Sequence, residues 1–168
     1  FPTRRSSDLE MTFIANNADF GGAIYAEGQL ILDNATFIDN NAGYGGAVAD
    51  YGEIFTCMNS RFIDNNGELG SSIYSSNGIL NVCNSSLTSN MSGKYGQIFG
   101  IGSTVNMDNS EFINISSDYA PALYLMDCES SIINSRFVNL TGDKSAGAIA
   151  IRDSGNSYIT GCEFANTK

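Results

Sequence analysis

A repeat of about 25 residues runs along the chain and constrains its fold more than any other feature. One phenylalanine position marks the repeat, and successive copies of it are 24 to 27 residues apart. The first apolar column consists of Phe13, Phe37, Phe62, Leu87, Phe112, Phe137 and Phe164. Two further columns keep the same step, namely Ile24, Val48, Ile73, Ile98, Leu123 and Ile149, and then Leu32, Cys57, Val82, Met107, Ile132 and Ile159. Self-similarity at a fixed period of this size is typical of solenoids.

The segments around these columns have the pattern of short β-strands. Stretches such as GQLILDN (28–34) and ATFIDN (35–40) alternate apolar with polar residues and are bounded by Gly, Asn and Asp. Alternation at period two, with β-branched and aromatic residues, favours strands over the helices of a leucine-rich repeat. Three columns per period predict three strands per coil, and coils stack about 4.8 Å apart. We therefore predict an all-β fold, a single-stranded parallel β-helix of about six coils, right-handed by the general bias of parallel crossovers.

Polar columns at the predicted corners support the same fold. An asparagine recurs three residues before the phenylalanine position, at Asn34, Asn59, Asn84, Asn109 and Asn134. Stacked amides can bond to one another from coil to coil, so we predict a structural asparagine ladder here. We predict a similar ladder at the next corner, where Asn tolerates a left-handed backbone, from Asn16, Asn40, Asn65 and Asn90.

The first nine residues differ from the rest of the chain. FPTRRSSDL matches the translation of a common short-read sequencing adapter, so we exclude residues 1–9 and treat residues 10–168 as the repeat domain. We expect this domain to be a fragment of a longer array, with flanking coils and an anchor domain outside it. The net charge of −10 opposes binding to nucleic acid. No apolar run approaches the ~20 residues of a membrane-spanning helix.

Two short motifs alternate in register with the repeat. F-x-x-N occurs as FIAN at 13 and as FIDN at 37 and 62, and G-G-A-[ILV] occurs as GGAI at 21 and GGAV at 45. This alternation resembles the repeats of chlamydial polymorphic outer-membrane proteins and of similar adhesin-like proteins with the right-handed β-helix of the pectin lyase-like fold. The resemblance implies a secreted, cell-surface segment that acts as a binding or structural stalk. Its implied partner is a host-surface or extracellular glycan or protein.

A polysaccharide-active enzyme is the alternative, because many parallel β-helices are pectate-lyase-like lyases or hydrolases. Its catalytic coils would then lie partly outside the fragment. Asp39 and Asp64 occupy equivalent positions one coil apart and are candidate ligands for one Ca²⁺, although solvated turn residues would give the same pattern. The chain has no His, which excludes Ser-His-Asp and Cys-His catalysis within it. The sequence predicts no catalytic residue and no cofactor.

A binding surface is predicted beside the second apolar column. The outward-facing neighbours of that column are Tyr25, Ala49, Tyr74, Phe99, Tyr124 and Ala150. The consecutive rings of Tyr74, Phe99 and Tyr124 would form a flat aromatic stripe, suited either to sugar rings or to stacking on each other.

Charges and cysteines receive structural interpretations. Glu111, Arg136 and Glu163 alternate in sign along one column, so we expect them to pair across neighbouring strands. No two of the four cysteines share a column on adjacent coils, and we predict free, mostly buried thiols.

Overall fold

The computed structural model describes residues 10–89 and 92–168, and within them the chain forms twenty-two strands and no helix. The first sheet contains β1 (Met11–Ile14), β4 (Ala35–Ile38), β8 (Arg61–Ile63), β12 (Ser86–Thr88), β16 (Glu111–Ser117), β19 (Arg136–Gly142) and β22 (Glu163–Ala165), with β13 (Ser92–Gly93) beside β16. The second sheet contains β2 (Ile24–Ala26), β6 (Val48–Asp50), β10 (Ile73–Ser76), β14 (Ile98–Ile101), β17 (Leu123–Met126) and β20 (Ile149–Arg152). The third contains β3 (Gln29–Asp33), β7 (Ile54–Met58), β11 (Ile79–Cys83), β15 (Thr104–Asp108), β18 (Glu129–Ile133) and β21 (Ser157–Thr160). The interpretation of residues 1–9 as an adapter lies outside the described residues.

The strand pairing confirms a parallel β-helix of six coils, followed by one further strand. Every strand of the three sheets pairs in parallel with the equivalent strand of the next coil. The register places Phe37 opposite Phe62, Ile73 opposite Ile98 and Val82 opposite Met107. The three apolar columns read from the sequence are therefore columns of the fold.

The interior is a stack of side chains along the axis. The rings of Phe37 and Phe62 lie 4.9 Å apart and within 5° of parallel, and those of Phe112 and Phe137 lie 5.2 Å apart. All four rings are fully buried. Because a buried aromatic or aliphatic side chain contributes about 1.5 to 3 kcal/mol, this column is a major source of stability.

Two local differences from three strands per coil occur between the first and second sheets. A short fourth strand, β5 (Asn41–Tyr44), pairs with β9 (Asn66–Leu69), and in later coils β16 and β19 run through the same corner as seven-residue strands. This corner therefore has enough regular backbone to hold a side-chain column of its own.

The first predicted ladder forms at the corner between the third and first sheets. All five of its asparagines have positive φ, between 47° and 58°, so Asn serves as the left-handed turn residue. Asn84 donates to Asn59 (3.4 Å) and Asn109 donates to Asn84 (2.8 Å) through their side-chain amides. Asn59 and Asn134 instead donate to the carboxylates of Asp33 (2.7 Å) and Asp108 (3.2 Å). These bonds are exposed to solvent.

Buried serines satisfy the backbone immediately beside that ladder. Each hydroxyl donates to the carbonyl two residues earlier and accepts the backbone N–H of the equivalent residue one coil before it, as Ser85 does with Cys83 (2.8 Å) and Ser60 (3.1 Å). The members of this serine ladder are Ser60, Ser85, Ser110 and Ser135. These hydroxyls take the place of backbone hydrogen bonds that the chain cannot make at a turn, so the corner can be buried without unpaired backbone groups.

The second predicted ladder is the buried one. Asn16 donates to Asn40 (2.8 Å) and Asn40 donates to Asn65 (2.9 Å), and both Asn40 and Asn65 are at most 1% exposed. The expectation that these asparagines are left-handed is wrong, because Asp39 and Asp64, one residue earlier, take the positive φ. The turn at the aspartate directs the following amide inward. Asn90 lies outside the described residues.

Candidate functional site

The predicted aromatic stripe forms, but it is not open to solvent. The rings of Tyr74, Phe99 and Tyr124 stack at 5.8 and 5.5 Å, with planes within 11° of parallel. They project from the outer face of the second sheet, yet they are only 7%, 5% and 3% exposed. Of the two uses predicted for the stripe, the structure therefore favours stacking of the rings on each other over a flat surface for sugar rings.

A second aromatic column covers the stripe. Tyr95 and Tyr119 stack on each other at 4.7 Å in the corner between the first and second sheets. Tyr95 meets Phe99 edge to face at 5.7 Å, and Tyr119 meets Tyr124 edge to face at 6.0 Å. The corner segment folds back over the second sheet, so the two columns bury each other in a cluster separate from the main core.

The same two columns continue into the first coils, where their rings line an open cleft. Phe20 and Tyr44 continue the covering column, stacked at 4.9 Å, while Tyr25 continues the stripe. Tyr51 lies across the gap that Ala49 leaves in the stripe, 5.6 Å from Tyr25 and 5.3 Å from Tyr74.

The resulting space, which we call the aromatic cleft, is lined by Asp19, Phe20, Tyr25 and Tyr51 and has a volume of about 620 Å³. Phe20 is 44% exposed and Tyr25 is 50% exposed. Large rings that are covered elsewhere in the columns are therefore accessible here.

The phenols of the cleft are neutral at physiological pH, and hydrogen bonding and burial raise their pKa further. The hydroxyl of Tyr25 donates to a carboxylate oxygen of Glu27 at 2.5 Å, and this bond is the main cause that raises the pKa of Tyr25. Burial, followed by the neighbouring hydroxyl of Tyr74, raises the pKa of Tyr51. Asp19 lines the cleft and Glu27 accepts the hydrogen bond of the Tyr25 phenol, so acidic groups stand beside uncharged ring faces.

The candidate Ca²⁺ ligands have a backbone explanation. Asp39 and Asp64 stand on adjacent coils at φ of 53° and 50°, a conformation that favours Asn, Asp and Gly. Across residues 10–89 and 92–168, no group of three or more His, Cys, Asp or Glu side chains is placed to hold a metal ion. The turn conformation alone accounts for aspartate at both positions.

One carboxylate that the sequence reasoning missed lies in the solenoid interior. Asp50 is fully buried, accepts the backbone N–H of Gly52 (3.0 Å) and accepts the hydroxyl of Ser75 (3.0 Å). Burial raises the pKa of Asp50, and the two hydrogen bonds oppose that shift. The signal was available, because strict alternation after Ile24 and Tyr25 places Ala26, and hence Asp50 one coil later, on the inward face.

A second hollow of about 450 Å³ follows the corner of the first asparagine ladder, and Arg61, Glu111 and Arg136 stand along it. Its amides and hydroxyls already bond to one another and to the backbone. Arg136 donates to Glu111 and to Glu163, each at 2.9 Å, which confirms the predicted charge pairing. This hollow is therefore a consequence of the corner architecture.

All four cysteines are free, as predicted. Cys57 is buried in the core, and burial raises the pKa of its thiol to about 11. Cys128 and Cys162 take corner positions like those of the serines, with each thiol donating to the carbonyl two residues earlier. The thiols are packing and corner groups.

The fold and the cleft define the class, a parallel β-helix with a lateral aromatic cleft on its first coils. Comparisons with protein-family models, with curated proteins and with solved structures found no match. In the part of the chain that the structure describes, no helix is long and apolar enough to cross a membrane.

Proposed function

We propose that the chain is a segment of an exported, adhesin-like β-helix at the cell surface, and that it binds an extracellular ligand in the aromatic cleft. One observation carries the proposal. Tyr124 is covered where it meets Tyr119 edge to face at 6.0 Å and is 3% exposed, whereas Phe20 and Tyr25 meet in the same way at 6.3 Å but stay 44% and 50% exposed.

Exposed aromatic rings in a concave surface are typical of binding sites. The solenoid can bury such rings, since Tyr74, two coils beyond Tyr25 in the same column, is only 7% exposed. A cleft with apolar walls and a few polar groups on its edge also suits an amphipathic ligand, whose apolar part contacts the rings while its polar part reaches Asp19.

The rest of the chain is suited to a stalk. Each coil contacts mainly its neighbours, through parallel strand pairing and stacked side chains. Stability then grows with the number of coils, so a long array can carry a binding surface away from an anchor. The enzyme alternative needs convergent carboxylates, and no described group of such residues favours it.

An array of extracellular glycans, amphiphiles and organic cations tests the proposal on the chain itself. We expect wild-type protein to bind a subset of these ligands and the Tyr25→Ala variant to lose that binding. Tyr158→Ala is the matched control, because Tyr158 is an exposed ring (66%) at the opposite end of the solenoid. Equal binding by wild type and both variants would remove the cleft from the function, and breakdown of a bound polysaccharide would favour the enzyme.

A further inference from the structure

We propose that the aromatic cleft recognises a quaternary ammonium group. The inference rests on the proposed function, since it names the ligand chemistry of the same site. It follows from the shape of the cleft, from its charge, and from what occupies the equivalent position further along the covering column.

The walls of the cleft are inclined to each other. Phe20 makes interplanar angles of 69° with Tyr25 and 68° with Tyr51, at centroid distances of 6.3 and 6.1 Å. Tyr25 and Tyr51 are inclined at 42°. A single flat ring suits the face of a sugar, whereas three inclined rings form a concave corner that contacts a rounded group from several sides. A trimethylammonium group is rounded and carries its positive charge on methyl groups that fit against rings.

The charge of the cleft is negative. Asp19 is one of its four lining residues, and no described Lys or Arg is among them. Glu27 accepts a hydrogen bond from the phenol of Tyr25, which increases the electron density of that ring. Aromatic faces and carboxylates together attract an organic cation, and the overall charge of −10 raises its local concentration.

The covering column already uses ammonium groups elsewhere. Lys94 lies 5.3 Å from the ring centroid of Tyr95, and Lys144 lies 5.4 Å from that of Tyr119. Each of these ammonium groups also pairs with a carboxylate of the corner, Lys94 with Glu68 and Lys144 with Asp118.

In the covering column Phe20 stands where Tyr119 stands in a later coil, and Asp19 precedes Phe20 as Asp118 precedes Tyr119. No described Lys or Arg lines the cleft, so it has the ring and the carboxylate without the ammonium group. A cation brought by a ligand completes the arrangement.

The same charges predict selectivity among related ligands. Choline places a hydroxyl next to its ammonium group, whereas phosphocholine places a phosphate there. Asp19 and Glu27 repel the phosphate, so choline binds more tightly than phosphocholine. The neutral isostere 3,3-dimethylbutan-1-ol has the shape of choline without its charge, and it separates cation recognition from simple apolar burial.

The test is a titration of the full chain with choline, phosphocholine and 3,3-dimethylbutan-1-ol, followed by NMR signals of the tyrosine rings. We expect choline to cause saturable shifts of the Tyr25 and Tyr51 ring signals. The isostere should bind at least about fivefold more weakly than choline, and high salt should remove this difference in affinity. Asp19→Asn keeps the size of the side chain and is expected to weaken choline but not the isostere. Tyr158→Ala is expected to change neither.

Equal affinity for choline and its isostere, or no response to choline, would overturn the inference. Glycan binding that depends on Tyr25 without a response to choline would refute the inference and leave the proposed function in place. If the chain binds nothing on the array and does not respond to choline, both the inference and the proposed function are refuted. Far-UV circular dichroism of each variant establishes folding, and Asp19→Asn, which exchanges one exposed side chain, keeps the test decisive if a ring variant does not fold.

Discussion

Asn65→Ala is the substitution that most sharply tests the buried asparagine ladder. Asn65 accepts the backbone N–H of Asn40 (3.0 Å) and its side-chain amide (2.9 Å), and it donates to the carbonyl of Phe37 (3.0 Å). Alanine removes all three bonds in a place that water cannot reach, because Asn65 is 1% exposed.

The expected cost follows from the groups that lose a partner. The amide of Asn40 keeps its bond to the carbonyl of Phe13 (3.0 Å), but the buried backbone N–H of Asn40 loses the acceptor that Asn65 provides. The carbonyl of Phe37 also loses a donor. A buried polar group without a partner costs about 1 to 3 kcal/mol, so Asn65→Ala should reduce the free energy of unfolding by about 2 to 5 kcal/mol.

The next residue provides the control. Asn66 is also bonded to the equivalent asparagine of the preceding coil, here as the donor to Asn41 (2.7 Å), but this bond is exposed and water can replace it. Asn66→Ala should therefore cost less than about 1 kcal/mol. Urea unfolding followed by circular dichroism measures both values, a suitable probe because the chain has no Trp. Equal costs for the two variants would refute the argument that burial gives the ladder its strength.

Three further predictions concern charge and close packing. Asp50→Asn should raise stability at neutral pH and have little effect at acidic pH. Burial raises the pKa of Asp50 in the folded state, so the stability that its carboxyl group contributes is lost as pH rises through that pKa. Urea unfolding at several pH values measures the effect. Arg136→Ala should cost less than about 1 kcal/mol, an effect that high salt removes in the same assay, because its ion pairs are exposed. Gly46→Ala should cost about 1 to 3 kcal/mol, since a Cβ there would lie 2.2 Å from the backbone of the next coil. Gly28→Ala is the control and should be neutral, because a Cβ at Gly28 has no atom within 4 Å. Thermal unfolding measures both.

The coils and their core were predictable because their signals are local and repeat. Inward residues alternate along each strand and the step of the repeat sets the register, so the sequence alone predicts that Phe37 and Phe62 share a column, as they do. Which asparagine enters the interior at the second corner was not predictable in this way. It depends on the positive φ of Asp39, which directs Asn40 inward.

The aromatic cleft needed information that the strand pattern lacks. Its covering column also recurs in the sequence, at Phe20, Tyr44, Leu69, Tyr95 and Tyr119. These residues lie in the corner segments, where alternation does not determine the side on which a residue faces. Tyr51 belongs to no column and enters only because Ala49 leaves room between two neighbouring coils, a non-local effect.

The most direct test of the central claim is photochemically induced nuclear polarisation of the tyrosine rings, which detects rings that a dissolved flavin can reach. We predict signals from Tyr25 and Tyr158, which are 50% and 66% exposed, and none from Tyr74 and Tyr124, which are 7% and 3% exposed. Added choline should suppress the signal of Tyr25 and leave that of Tyr158 unchanged. Polarisation of Tyr74 and Tyr124, or equal suppression of Tyr25 and Tyr158, would contradict a covered aromatic column that opens into a ligand-binding cleft.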